Sequence, residues 1–353
     1  MRSTAVLATG WIAALHGHSL TELLVDWDTL RYLDIVTRGY DVAIPVRPDG
    51  SLGYTNLAFF PLYPALVAIV DPALPGGPDI AAVVVSWSAG LAAAWGLYAI
   101  GRDVRDQRTG VMLAGLWAVV PHAVVESMGY AETSFTALAA WSLFAVLRRR
   151  WITAGLLCFF AGLARPTAMA LAFAVALALL VPLCRGQDGW RPWIASLLAP
   201  AGLLGYVAWV GLRLGRIDGY LHVQRDAWHM SYDGGQYTVH ILRRLLTHPA
   251  ELGQYVTTFV LVVALALMVL LVVDTAPWPL VVYAGLVLAI VLGGAGYYHA
   301  KARLLLPAFP LLLPVAYALA GARRSVLVVV FIVLAITSTW YGIYLRLVWT
   351  HSP

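Results

Sequence analysis

Apolar runs recur along the chain at about 4–24, 79–101, 110–126, 132–147, 152–164, 168–183, 194–213, 255–273, 279–296, 304–320 and 325–345. Clusters rich in Arg, Asp, Gly and Pro separate them. Most runs approach the roughly 20 residues a helix needs to cross about 30 Å of hydrocarbon. There, every backbone amide must be paired within its own segment, so the eleven runs are predicted to be helices rather than strands. Runs 152–164 and 168–183 are too short to span alone, and Arg165-Pro166-Thr167 divides them. A helix broken at a polar proline motif is tolerated where it lines a cavity inside the protein. The first run carries a single Arg2 before it and no small-residue cleavage site after it, so it is read as an uncleaved span.

Composition strengthens this picture. Only 12% of the 353 residues are charged and 61% are hydrophobic, against roughly 25% charged in a soluble domain. The chain is predicted to be an all-α polytopic membrane protein, with one transmembrane domain over 1–353. The net charge of +5 is spread between apolar runs and forms no basic stripe, which argues against nucleic acid as a partner. Membrane lipids are the expected surroundings. Lys301 is the only lysine, and the Arg-, Ala-, Gly- and Val-rich composition points to a GC-rich bacterial genome and hence a bacterial plasma membrane. Cys158 and Cys184 lack ligand spacing and read as small apolar side chains.

Charge also orients the chain. Arg2, the 102–108 cluster, Arg148 to Arg150, Arg185 with Arg191, and Arg323 with Arg324 put eleven cations on one side, against four in the short connections of the other. The positive-inside rule places the first set in the cytoplasm. Two long loops, about 25–78 and 214–254, then face outward. Residues 57–70, interrupted by Pro61 and Pro64, read as a helix at the interface or dipping into the protein; the alternative is a twelfth span.

The first loop opens with VDWDTLRYLDIVTRGYD. If 27–37 is helical, Asp28 shares a face with Arg31 and Tyr32. Asp26 or Asp28 can take a proton from an acceptor hydroxyl; equally, both can simply cap the following helix. Glu132 begins an apolar run, where the helix dipole favours a carboxylate and where an acid at the membrane edge is also a functional candidate. Arg165, Lys301 and Arg303 are outer-side cations suited to an anionic leaving group or to snorkelling at helix ends; His299 can add a proton or a hydrogen bond. The histidines of the second loop lack metal spacing, and no Gly-rich phosphate cradle is present. With external cations beside few clustered acids, no cofactor and no metal is expected; a divalent cation is the less favoured alternative.

WD-x-x-x-Y followed by RGY and NLAFFPLYP resembles the bacterial branch of the phosphatidylinositol-glycan class V mannosyltransferases. MGYAETSFTALAAWSLFAVLRRRW, GLARPTAMAL and HAKARLLLPAFPLLLP are similar to three later segments of that family, so the likeness covers about 26–320. Two positions depart from its pattern. Ala168 stands where Gly is usual after RPT, and Ala302-Arg303-Leu304 stands for Pro-Arg-Phe. The resemblance implies the glycosyltransferase C helical fold, with about eleven transmembrane helices and two large external loops. It implies inverting transfer of a sugar, mannose, from a polyprenyl-phosphate donor to a lipid, glycan or protein hydroxyl on the outer face. Asp28 is then the base, with Asp26 as second choice. Arg165, Arg303, Lys301 and His299 would meet the donor phosphate, and Glu132, Arg31, Tyr32 and Tyr63 are further site candidates. The rival class is a transporter or lipid flippase, which should show two halves with matching interruptions; only one broken pair is evident, at 152–183.

Overall fold

The structure is a computed structural model that describes residues 2–353, with side chains from residue 4 onward; the Arg2 side chain used in the orientation count lies outside the described residues. Its helices are α1 (Arg2–Leu15), α2 (Leu20–Leu24), α3 (Asp28–Arg38), α4 (Leu62–Val70), α5 (Gly77–Val104), α6 (Gln107–Trp117), α7 (Glu132–Leu147), α8 (Trp151–Gly162) and α9 (Ala168–Cys184). They continue as α10 (Arg191–Leu214), α11 (Gly219–His222), α12 (Gln236–Thr247), α13 (Leu252–Val273), α14 (Trp278–Gly293), α15 (Lys301–Leu304), α16 (Leu313–Ala320) and α17 (Arg324–Leu347). Short strands β1 (Ser231–Tyr232) and β2 (Gly294–Ala295) pair antiparallel, Ser231 opposite Ala295.

Among the described residues, α5, α10, α13 and α17 are long and apolar enough to cross a membrane, at 28, 24, 22 and 24 residues; seven further apolar helical segments have 10–17 residues, α4 and α16 being counted with their adjoining 3₁₀ turns. The chain is a mostly helical, polytopic membrane protein. Phe259, Val262 and Val269 on α13 and Val329, Ile332 and Ile336 on α17 are exposed, a face suited to lipid because the helix satisfies its own backbone.

Several expected runs are interrupted. The first divides after Leu15, where Gly17 turns the chain at φ 77° before α2 begins. The run at 110–126 stops at Trp117, and a 3₁₀ turn follows at Ala123–Ser127 beyond Pro121. The run at 304–320 breaks into α15, a 3₁₀ turn at Phe309–Leu312 and α16, because Pro307 and Pro310 cannot donate to a helical ladder. The twelfth-span alternative at 57–70 does not form. There α4 has 9 residues, about 13 Å of helix, and it packs Tyr63 and Val67 against Tyr32, Ala82 and Val85 of α3 and α5.

The core is built from α5 to α10 with α13, α14 and α16. Small residues let helices approach closely, which matters in lipid because no hydrophobic drive acts between helices. A Cβ on Gly202 of α10 would lie 1.9 Å from the Phe159 carbonyl oxygen of α8, and one on Gly101 of α5 would lie 2.7 Å from the Gly110 Cα of α6. The two long loops pack on each other above this scaffold. The Trp228 indole donates to the Thr55 carbonyl at 3.0 Å, and Arg213 donates to the carbonyls of Asp41 and Tyr40 at 2.7 and 3.0 Å.

Candidate active site

The site starts where α2 hands over to α3. Ser19 and Glu22 form a capping box that fixes α2, and Trp27 then turns the chain at φ 52°, ψ −111°. This left-handed region is unfavourable for a bulky residue. Asp28 follows as the first residue of α3, where the helix dipole favours a carboxylate. No side chain caps α3 at Trp27, and both nearby acids reach other partners. Asp28 Oδ2 lies 3.0 Å from Arg303 Nη2, and Asp26 Oδ2 lies 2.9 Å from Arg346 Nη2.

Arg303 projects from α15 and is buried. Its guanidinium meets two carboxylates and a hydroxyl, although its buried Nε forms no hydrogen bond. Besides Asp28, its Nε comes within 3.3 Å of Glu132 Oε1, and its Nη1 donates to Ser352 Oγ at 3.0 Å. The guanidinium carbon lies 5.2 Å from the centre of the Tyr130 ring, within range for a cation–π contact. Arg165, from the polar turn between α8 and α9, pairs with the same Glu132 Oε1. Two arginines distant in sequence thus converge on one carboxylate at the start of α7. Exposure runs from 2% at Glu132 and 8% at Arg303 to 12% at Arg165 and 22% at Asp28, so the cluster opens to solvent mainly through Asp28. Two carboxylates face two guanidinium groups, and the four charges cancel. Buried charges need such pairing.

Aromatic side chains floor the site. The Tyr32 ring lies edge-on to Phe59 at 5.1 Å and to Tyr63 at 4.7 Å. The Tyr63 hydroxyl sits 2.8 Å from both the Ala82 carbonyl oxygen and Ser86 Oγ, and Ser86 donates onward to the Tyr130 carbonyl at 3.1 Å. Tyr63 therefore braces the floor rather than facing the charges. Arg31, one turn along α3 from Asp28, is partly exposed and forms no ion pair among the described residues.

The remaining expected cations lie differently. The Lys301 ammonium donates to the carbonyls of Val291 and Gly294, each at 2.5 Å, and so satisfies the C-terminal end of α14. The His299 ring lies edge-on to Trp349 at 5.6 Å and to His351 at 5.3 Å. Burial, then the neighbouring His351 and Arg303, pull its imidazole down to about 4. At neutral pH it is uncharged and can offer only a hydrogen bond. No group of three or more His, Cys, Asp or Glu side chains is gathered to hold a metal among the described residues.

Three contributors escaped the sequence reading: Arg346, Ser352 and Tyr130. Arg346 carried one usable signal, a cation at the end of an apolar run, where an ionisable residue is a functional candidate by default. Ser352 carried none.

The chain is similar to the structure of ArnT from Cupriavidus metallidurans bound to undecaprenyl phosphate, with a TM-score of 0.55 and 12% identity, over 98% of this chain and 75% of that one. It is similar also to the Archaeoglobus fulgidus oligosaccharyltransferase in the apo form, with a TM-score of 0.54 and 13% identity, over 98% of this chain and 56% of that one. These are glycosyltransferase C fold membrane proteins, and the chain has that fold. No family model matches the chain, and no curated protein does.

Proposed function

We propose that the chain is an inverting glycosyltransferase that moves a sugar, mannose, from a polyprenyl-phosphate donor to an acceptor hydroxyl at the outer face of a bacterial plasma membrane. One observation carries the reading: a partly exposed carboxylate, Asp28, stands at the open end of a buried Arg303–Glu132–Arg165 relay. An inverting transfer needs both of these parts. The acceptor oxygen attacks the anomeric carbon, its proton passes to Asp28, and the bond from that carbon to the phosphate oxygen breaks. The departing phosphate carries the negative charge, and guanidinium groups fixed by Glu132 are preorganised to meet it.

At rest Arg303 occupies the Asp28 carboxylate. A phosphate oxygen that takes over Arg303 Nη2 leaves Asp28 free to accept the proton, so donor binding and base activation are one event. Arg31, with no ion pair of its own, supplies a further cation beside the site. The fold likeness to a protein bound to undecaprenyl phosphate, and the motif resemblance to mannosyltransferases, support the donor class and the sugar. The charge bias of the connections supports the outward placement. Transfer is metal-independent in this reading, because the guanidinium groups meet a monophosphate directly.

The test is purified protein in detergent or liposomes with polyprenyl-phosphate mannose and a panel of lipid and glycan acceptors. Mannose appearing on an acceptor with inverted anomeric configuration supports the reading. Movement of the intact donor across the bilayer without cleavage identifies a flippase instead.

A further inference from the structure

We infer that Arg346 is a positioning residue for the reaction, acting through Asp26 and the Trp27 backbone to aim Asp28; this rests on the transferase reading above. Arg346 lies in the last turn of α17, its side chain only 3% exposed. It reaches Asp26 through Nη2, and its Nε is buried without a hydrogen-bond partner. The other oxygen of the same carboxylate, Asp26 Oδ1, accepts the Trp27 amide at 2.8 Å. Asp26 is therefore a bridge. One oxygen is anchored to a distant helix, and the other grips the Asp26–Trp27 peptide unit, which enters the turn at Trp27.

That peptide is the one that needs gripping. Trp27 sits at φ 52°, a conformation glycine adopts freely and tryptophan does not. Such a residue persists only where its surroundings over-determine it. The second jaw is visible on the other side of the turn. The Gly129 amide donates to the Leu24 carbonyl at 3.0 Å, and a Cβ on Gly129 would come within 2.5 Å of Thr29 Cγ2. The turn is thus held between α17 and the segment leading into Glu132. If the Arg346 anchor is lost, Trp27 can relax toward negative φ. The first turn of α3 then rotates, and Asp28 moves relative to Arg303 and to any acceptor.

This assigns different work to the two aspartates. Asp28 exchanges partners during the reaction, whereas Asp26 does not. A displacement of about 1 Å in a reacting group can cost on the order of 100-fold in rate. Arg346→Gln is expected to lower kcat by about 10- to 100-fold while KM for the polyprenyl-phosphate donor changes less than about threefold. Asp26→Asn should do the same. The double variant Asp26→Asn/Arg346→Gln should be no worse than either single change, since both cut one linkage. Arg346→Lys, which keeps a cation there, should restore part of kcat.

A second readout is independent of turnover. Protein labelled with 5-fluorotryptophan, its Trp27 resonance assigned by loss in Trp27→Phe, should show that resonance shifted or split in Arg346→Gln and nearer wild type in Arg346→Lys. An unmoved Trp27 resonance overturns the inference, as does an unchanged kcat or a double variant whose defect is the product of the two singles. If Arg346→Gln does not fold, the Asp26→Asn and Arg346→Lys proteins carry the same comparison. If wild-type protein transfers no sugar at all, the transferase reading falls, while the Trp27 resonance still decides whether the clamp exists.

Discussion

Arginine–carboxylate pairs gather at two places in the molecule, and they are built differently. Where α5, α7 and α9 end, Arg148 pairs with Asp103 and Arg149 with Asp188, with the arginines 51% and 56% exposed. Near the start of α7, Arg303 and Arg165 share Glu132 and are almost wholly buried. Exposed pairs are screened by water and contribute roughly 0–1 kcal/mol. Buried charges are expensive to desolvate, and removing one partner costs about 3–5 kcal/mol. A buried ionic cluster is therefore weak evidence for stability and better evidence for chemistry, because hydrophobic packing would have stabilised the same place more simply. In the proposed reading, the exposed set serves the surface and the buried set meets a ligand.

The sharpest way to break this contrast is at the carboxylate that opens the buried set. Asp28→Asn keeps its shape and removes its basicity, and should lower turnover by at least about 100-fold, measured as sugar transferred per minute. If Asp28→Asn works normally and Asp26→Asn does not, Asp26 is the base and the bridging role assigned to it is wrong. Next in size is Glu132→Gln. It leaves two neighbouring guanidinium groups without their shared negative charge, and should destabilise the protein by about 3–5 kcal/mol, seen as an earlier thermal transition in detergent. Arg148→Gln, at the exposed end, should cost less than about 1 kcal/mol by the same assay and leave transfer intact. A loss as large as that of Glu132→Gln would erase the distinction. The smallest expected effect is that of EDTA, which should leave transfer unchanged; loss with EDTA and recovery with Mg²⁺ or Mn²⁺ would turn Asp26, Asp28 and Glu132 into metal ligands.

Much of this was legible in the chain itself. Apolar runs announced the helices, and the WD, YAET, RPT and Arg303 segments marked residues that meet in space although they are far apart in sequence. Spacing failed where long-range packing decides. Lys301 looked like a phosphate ligand, but its nearest unsatisfied groups are the carbonyls ending α14. Arg346 drew no reading of its own, since nothing local reveals that α17 packs against α1 and reaches Asp26. The positive φ at Trp27 contradicts local preference, and only tertiary contacts impose it. Breaks within the runs at 110–126 and 304–320 were hidden because prolines among apolar residues leave hydropathy unchanged.

The long reach of these pairs also bears on how the protein is made. Asp26 and Arg346 are 320 residues apart. At about 5–20 residues per second of synthesis, Asp26 leaves the ribosome roughly a quarter of a minute to a minute before its partner. Glu132 and Arg165 can meet once α7, α8 and the turn after α8 are made, whereas Asp28 must wait for Arg303. After Arg303, and until α17 arrives, Asp26 alone among these acids has no partner cation synthesised. The Asp26–Arg346 linkage is thus among the last contacts the chain can make.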